Sequence, residues 1–347
     1  MFEIQNTLSF NKDKLVFGNE YDYVTRTSLN QGILQTTGFV NKENLNDSGT
    51  WSLGLLQMDF FYRRKPWYAG QFVRKIIPKF KLTESTVLYF STLLNMQKKK
   101  LLAVLVRNVD ETFKNLTFSL PITAEGEIDF DFMESFIREL EEERIRELAA
   151  YLKVSGLDNY KLSKCESEAL AHFNELKWKE FSFKEIFNKI EQGRRLKKDD
   201  QLPGNIPFVM SGVTNTGVVG YVSNPVASFP ANSITVDIFG NSFYRNYSFG
   251  AGDDTGVYWS TEKNYSKETM LFFTSAICKA LAGKFSYGKK LRSSQSLDIK
   301  MYLPVRDGEP DYDAMETFIS AVQKLVIKDV VLYADKKIVA AKQAIKN

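Results

Sequence analysis

Two kinds of hydrophobic pattern alternate along the chain. Short runs in which apolar and polar residues take turns, such as SITVDIFG and SFYRNYSF, are broken by Gly, Asn, Asp and Pro, and they predict strands. Each strand-rich stretch carries one helical candidate, residues 87–94 in the first and 270–281 in the second. The pattern then changes. Residues 127–155 and 311–347 contain no Gly or Pro and predict two long helices. In the second, Ile327, Val331, Ala334, Ile338, Ala341 and Ile345 recur in steps of four and three, which keeps one apolar seam along a helix. In the first, Met133, Ile137, Leu140, Ile145, Leu148 and Leu152 play that part, and RELEEERIREL supplies the solvated faces. At ~1.5 Å per residue the second helix would run about 50 Å, too long for one small domain. The economical expectation is that the two helices pair antiparallel. Ser163 and Glu166 spell a capping box that opens a shorter helix beyond Gly156.

The alternation of patterns reflects an internal repeat. LPITAEGEIDFDFMESFI, residues 120–137, matches LPVRDGEPDYDAMETFI, residues 303–319, with one residue of indel. FYRRKPWYAG from Phe61 matches FYRNYSFGAG from Phe243 at an offset of 182, which is also the offset of Gly126 to Gly308. Weaker matches keep the same order: YVTRTSLNQG from Tyr23 with FVMSGVTNTG from Phe208, GFV at Gly38 with GYV at Gly220, and VLYFSTLL at Val87 with MLFFTSAI at Met270. The expected fold is mixed α/β, with two pseudo-twofold-related β-rich domains separated by a pair of long antiparallel, coiled-coil-like helices. The expected boundaries are 1–125, 126–176 for the first spacer helix and connector, 177–307, and 308–347 for the second helix. The first copy has only 22 residues before Tyr23, so its opening part is expected to be shorter or trimmed.

Composition supports large cores, with 27 Phe and 16 Tyr, and no run approaches the ~18 apolar residues of a spanning helix. No signal-peptide pattern opens the chain, so the cytoplasm is the expected compartment and no membrane partner is expected. Two cysteines and one histidine leave the usual metal-ligand set nearly absent. The net charge of +4 hides segregation: residues 1–119 carry 16 basic and 10 acidic side chains, 120–176 carry 6 and 14, and 177–303 carry 17 and 11. Two basic blocks flanking an acidic one favour a polyanionic partner. Two homologous, divergent basic domains on a helical spacer act as a ruler, and duplex DNA is the polymer that presents separated sites with phosphate charge.

Sequence reading on DNA needs side chains that reach base edges as well as cations for phosphates. The first copy offers Arg26, Ser28, Asn30 and Gln31, then Arg63, Arg64 and Lys65 with Tyr68 close behind. The second offers Ser211, Thr214, Asn215 and Thr216, then Arg245, Asn246 and Tyr247, and a later loop with Tyr287, Lys289, Lys290 and Arg292. The copies agree in framework and differ at these polar positions, as expected if one scaffold reads two short sequences. Asn30 with Gly32 and Asn215 with Gly217 are also good turn formers, and their repetition favours a scaffold role. Lys98, Lys99 and Lys100 follow a helix, where cations suit the dipole. The GAGDDTG run at Gly250 lacks the spacing and Lys of a phosphate-binding loop and reads as a tight turn. His172 has no cysteine at ligand spacing, Cys278 reads as a buried small hydrophobe, and Asp129 and Asp311 are explained by helix capping. No catalytic constellation emerges, and the chain is expected to recognise rather than react.

These features together resemble the specificity subunit of type I restriction-modification systems and of the related type IIB systems. The resemblance spans nearly the whole chain and rests on two recognition domains, each followed by a long helix entered through the repeated LP motif at Leu120 and Leu303. It implies that each domain binds one half of an interrupted, asymmetric DNA site. It implies too that the helices, through Met133, Ile137, Leu140, Leu148, Ile327, Val331 and Ile338, fix the gap and dock two methyltransferase subunits, or fused restriction-methyltransferase subunits. Catalysis, with S-adenosylmethionine and Mg, would lie in those partners. The compact length leans toward type IIB. The rival reading is a carbohydrate-binding or adhesin-like module on a helical stalk, because aromatic-rich β domains also suit sugar stacking.

Overall fold

The computed structural model describes residues 1–344 and divides into two units, Met1–Leu148 with the chain from Lys337 on, and Ala149–Lys336. In unit 1 the strands are β1 (Phe2–Asn6), β2 (Tyr21–Val24), β3 (Ile33–Thr37), β4 (Leu45–Asn46), β5 (Thr50–Gly54), β6 (Asp59–Arg63), β7 (Trp67–Ala69) and β8 (Val73–Pro78). Helices α1 (Glu84–Met96), α2 (Lys98–Leu102), α3 (Val109–Lys114) and the long α4 (Phe130–Val154) follow. The strands form two sheets, in the orders β1-β8-β5-β6 and β3-β2-β7-β4. All pairings are antiparallel except β2 with β7. The alternating pattern of β5 and β6 turns Trp51, Leu53 and Phe60 toward Val87, Phe90 and Leu94 of α1, and these residues make the main core.

Unit 2 repeats this plan and adds to it. After α5 (Lys164–Ala171) come β9 (Trp178–Ser182), α6 (Phe183–Ile186), β10 (Lys189–Gln192), β11 (Pro203–Val209), β12 (Val218–Val222), β13 (Ser228–Phe229), β14 (Ser233–Asp237) and β15 (Ser242–Arg245). Then follow β16 (Phe249–Ala251), β17 (Thr255–Trp259), α7 (Lys267–Leu281), β18 (Lys300–Arg306), β19 (Glu309–Pro310) and α8 (Tyr312–Ala344). The sheets β10-β17-β14-β15 and β12-β11-β16-β13 have the strand order of unit 1, with one parallel pair, β11 with β16. Strand β9 and the helix α6 have no counterpart among the described residues of unit 1, where the β18–β19 pair is reduced to one bridge, Ile122 with Ile128; β1 stands where β10 stands. Ile234, Val236 and Tyr258 pack on Met270, Phe273, Ile277 and Leu281 of α7.

Local chemistry repeats with the topology. Thr83 caps α1 and donates to the Glu134 carboxylate at 2.9 Å, while Ser266 caps α7 and donates to Glu316 at 2.6 Å. Each long helix opens on an aspartate whose carboxylate accepts a backbone N–H, Asp129 from Phe132 and Asp311 from Ala314. Each aspartate is preceded by a left-handed glycine, Gly126 and Gly308 at φ 85°, where a Cβ would strain the turn. The strand registers overturn one of the weaker matches. Val24 faces Ile33 and Tyr23 faces Gln35, while Val209 faces Val218 and Phe208 faces Gly220, so the counterpart of Gly220 is Gln35 and not Gly38. A Cβ on Gly38 would lie 2.8 Å from the Phe17 carbonyl oxygen, whereas Gly220 has open space, so the two glycines answer different constraints.

The seam expected on the second long helix matches its burial. Val331 and Ala334 are buried, and Ile327, Ile338 and Ala341 are half-buried among exposed neighbours; Ile345 lies outside the described residues. On α4, Met133, Ile137 and Leu152 are buried, Ile145 and Leu148 are half-buried, and Leu140 is exposed at 39%. The division into compact units does not set the long helices apart. Residues 149–154 of α4 count with unit 2, and α8 from Lys337 on counts with unit 1, where the Lys337 ammonium lies 3.8 Å from Glu141.

The capping box of α5 is tied into α8 as well. Glu166 accepts from the Ser163 N–H at 2.7 Å, from Ser320 at 2.7 Å and from Lys324 at 2.8 Å. Burial raises its carboxyl, but Lys324, Ser163 and Ser320 outweigh that and hold it at about 2 against an ordinary 4.5. A depressed carboxyl stabilises the fold fully above its unfolded value, and the contribution drains away as pH falls from about 4.5 to about 2. Glu166→Gln is therefore expected to cost about 2 kcal/mol near neutrality and to flatten the acid limb of the stability profile. Urea melts at pH 7 and near pH 2.5 check both; an equal deficit at the two pH values contradicts the assignment.

Candidate nucleic-acid interface

Each unit carries a turn whose backbone its sequence does not favour. Between β2 and β3, Asn30 and Gln31 both take left-handed angles, φ 46° and 53°, followed by Gly32 at 79°. Between β11 and β12, Asn215 and Thr216 do the same, φ 47° and 52°, followed by Gly217 at 84°. Asparagine tolerates this conformation, and Asn30 and Asn215 donate to the carbonyls of Ile33 and Val218 three residues on. Glutamine gains nothing from it, and for β-branched threonine it is an outlier. The turns are closed at the base by Thr25 N–H to the Gly32 carbonyl, 2.8 Å, and Met210 N–H to the Gly217 carbonyl, 2.9 Å. Their side chains at residues 28–31 and 213–216 are exposed.

A buried arginine reaches each turn from inside. Arg63, 2% exposed, donates to the Ser52 hydroxyl at 2.9 and 2.6 Å and to the Gln31 carbonyl at 2.5 Å. Arg245, 1% exposed, donates to the Thr235 hydroxyl at 3.1 and 3.0 Å and to the Thr216 carbonyl. It also reaches the Thr216 hydroxyl at 3.0 Å and the Tyr247 hydroxyl at 3.1 Å. Both guanidinium groups lie against an aromatic ring two residues back, Phe61 and Phe243. Burial lowers both pKa values, that of Arg63 to about 10 with Asp22 opposing the shift and that of Arg245 with Tyr247 opposing it.

The sequence candidates therefore separate into three groups. Arg63, Arg245 and Tyr68 are buried and do not offer themselves to a ligand. Tyr68 is spent inside unit 1, where its hydroxyl accepts from Val40 N–H and Asn41 N–H and donates to the Asn41 carbonyl. Arg64, Lys65, Ser28 and Ser211 are tied to neighbours. Arg64 pairs with Glu84, Lys65 with Asp22 at 2.9 Å and Ser28 with Asp59, while the Ser211 N–H donates to Asp254 at 3.0 Å. The remainder stand at the surface. Arg26 lies over the exposed Phe72 ring, and Asn30, Gln31, Thr214, Asn215, Thr216, Asn246 and Tyr247 ring the turns. In unit 2 a hairpin closed between Ser286 and Lys289 presents Tyr287, 84% exposed, beneath Lys290.

The Gly250–Thr255 segment is a tight turn that gathers this end of unit 2. Its Asp253 carbonyl accepts from Arg292 at 2.6 Å, its Asp254 carboxylate holds Ser211, and its Ala251 carbonyl accepts the Arg194 N–H at 2.9 Å. The last contact exposes a group that the sequence reading missed. Arg194, Arg195, Lys197 and Lys198 are all exposed, and among the described residues none forms an ion pair. Their backbone is fixed at both ends. A Cβ on Gly193 would lie 2.2 Å from the Gly252 carbonyl oxygen, and Leu196 is buried with Phe208 and Val222. Arg194 and Arg195 share a groove with Ser228, Ser293 and Ser294. The basic run RRLKK was the available signal.

Two other expectations meet the structure here. His172 sits at the surface 2.9 Å from Glu175. Cys278 is exposed, not buried: on α7 it falls outside the stripe of Phe273, Ile277 and Leu281 that enters the core. No helix of the described residues is long and apolar enough to cross a membrane.

Comparison with known proteins places these features. The family described as the type I restriction modification DNA specificity domain matches residues 1–150 and 175–332. The specificity subunit S.BcgI of the type II restriction enzyme BgcI, from Heyndrickxia coagulans, is 29% identical over 275 residues, 77% of this chain and 75% of that protein. The S subunit of a type I restriction-modification system from M. genitalium shares the fold, with a TM-score of 0.54 at 15% identity over 99% of this chain and 91% of that one.

If the basic run meets DNA phosphates, replacing Arg194, Arg195, Lys197 and Lys198 by Gln weakens binding equally on all sequences. The slope of log affinity against log salt should then become shallower by roughly 2 to 3.5, since each neutralised phosphate contributes ~0.9. Binding titrations on two unrelated duplexes at several salt concentrations measure this; an unchanged slope rejects the contact.

Proposed function

The chain belongs to the type I restriction-modification DNA specificity family, and from that premise we propose that its two units read the two halves of one interrupted, asymmetric DNA site. One observation carries the reading. The units share strand order, buried arginine, closed left-handed turn and helix-cap contacts, yet differ in what the turn exposes: Ser28, Asn30 and Gln31 in one, Thr214, Asn215 and Thr216 in the other. A common scaffold with different exposed donors and acceptors suits the reading of different base edges. The unpaired cations of unit 2 supply phosphate affinity that carries no sequence information.

In this proposal α4 and α8 are the spacer that sets the gap between the half-sites; Val331 and Ala334 are buried along α8, whereas Met133, named from sequence as a spacer residue, packs into the sheet core of unit 1. The reaction belongs to partner subunits that carry the methyltransferase, or methyltransferase and nuclease together. S-adenosylmethionine and Mg are needed there and not in this chain. The likeness to a specificity subunit of a type II restriction enzyme supports an assembly of the fused kind. The carbohydrate-binding alternative finds no support in the family match.

Co-expression of the chain with its partner methyltransferase, followed by long-read mapping of modified adenines, tests the reading. One two-part motif with a fixed gap is expected to appear with the chain and to vanish without it. An active methyltransferase whose pattern ignores the presence of the chain would sink the proposal.

A further inference from the structure

We propose that Arg63 and Arg245 are positioning residues for sequence reading. Each guanidinium fixes the left-handed turn of its own unit and thereby decides which bases that unit accepts. The inference rests on the reading of the chain as a DNA specificity subunit. Neither arginine can touch a base itself, since both are buried behind the turn.

The geometry is a three-point tie repeated in both units. At its inner end stands a hydroxyl of a central strand, Ser52 on β5 or Thr235 on β14, whose own hydrogen is directed at the carbonyl of Phe61 or Phe243 on the next strand. That leaves the hydroxyl oxygen to accept from the guanidinium. At its outer end stands the carbonyl of the second left-handed residue, Gln31 or Thr216. The guanidinium bridges strand to turn, and its planar fork serves both acceptors at once.

The turn needs such a tie. Two consecutive non-glycine residues in the left-handed region persist only where the surroundings over-determine them. The Asn side chain fixes the far side through Ile33 or Val218, and the arginine fixes the near side. What then faces outward is set: Leu29, 79% exposed, with Gln31 in unit 1, and Val213, 67% exposed, with Thr214 and Thr216 in unit 2. The unit 2 tie is also the more extensive, because Arg245 holds the Thr216 hydroxyl and the Tyr247 hydroxyl as well. A bare structural role would predict loss of stability alone. A positioning role predicts loss of discrimination confined to one half of the site, because each arginine bonds only within its own unit.

The test uses the full chain assembled with its methyltransferase. Arg245→Lys and Arg63→Lys keep the charge but offer one ammonium where two acceptors must be bridged. Methylation rates are compared between the parent site and sites with one base pair changed in either half, well below the melting temperature of each variant. Each variant is expected to lose about tenfold or more of its discrimination in one half, the scale of one good base contact, with the other half unchanged and the two variants affecting opposite halves. If a Lys variant fails to assemble, Thr235→Val and Ser52→Ala remove the inner anchor and are read in the same way. Folded variants that discriminate like the parent, or that relax both halves together, overturn the inference. A parent complex with no two-part motif overturns the proposed function first, and this inference with it.

Discussion

A cation inside a protein with no carboxylate to pair with must find neutral oxygens for its N–H groups, and this requirement organises both units. Unpaired burial of charge is costly enough that the acceptors have to be fixed in advance. Among the described residues no carboxylate forms an ion pair with Arg63 or Arg245, although Asp22 acts on Arg63 from farther off; a strand hydroxyl, a turn carbonyl and an aromatic face take that place. In both units the accepting carbonyl belongs to a residue in the left-handed region. The unfavoured angles at Gln31 and Thr216 are thus the local cost of satisfying the buried cation, and the two features stabilise one another. Everything exposed around the turns inherits its position from that arrangement.

The duplication was legible because the residues that set strands, turns and helix starts repeat, whether or not they are buried. Phe61 and Phe243, Gly126 and Gly308, and the helix starts at Asp129 and Asp311 stand in equivalent places, and the strand order shows why. The seam on α8 was legible for the same reason, since a helix with one packed side must repeat near every three and a half residues. Side-chain fates were harder to read. Arg63 and Arg245 end strands next to further polar residues, which in sequence is the mark of a solvated edge; only the hydroxyl on the neighbouring strand shows that the side chain turns inward. Tyr68 looked like an exposed aromatic beside a basic run, but its hydroxyl closes the 40–41 backbone. Cys278 has the composition of a core residue and the wrong helical phase. Match by residue type also misled at Gly38 and Gly220, because a glycine required by close backbone approach and a glycine in an open strand look alike as letters.

The units differ where a ligand would be met. Unit 2 carries the RRLKK run, anchored by Gly193 and Leu196, and the Tyr287 hairpin with Lys289 and Lys290. In unit 1 Lys65, Arg64 and Lys98 are engaged, with Asp22, Glu84 and Asp59, while Lys12, Lys14, Lys99 and Lys100 stand exposed. An ion-paired lysine gives less to a phosphate than a free one, because the carboxylate must be left behind with its charge exposed. Net charge alone therefore does not measure how many cations a block leaves free of ion pairs.

The separation of framework residues from exposed ones bears on how a duplicated scaffold can diverge. If framework and reading surface were the same residues, each change in the sequence read would threaten the fold. Here the fold is held by the sheet cores and the buried arginine, neither of which faces outward, and by the helix caps on Glu134 and Glu316. Exposed positions such as Gln31, Thr214 and Asn246 contribute little to packing, and surface substitutions away from special features usually shift stability by only about 0.5 kcal/mol. Thr216 is the exception that defines the limit, because its carbonyl and hydroxyl both serve Arg245 while its side chain faces solvent. A change there touches scaffold and surface together, so unit 2 has less freedom at this position than unit 1 has at Gln31, where only the backbone is engaged.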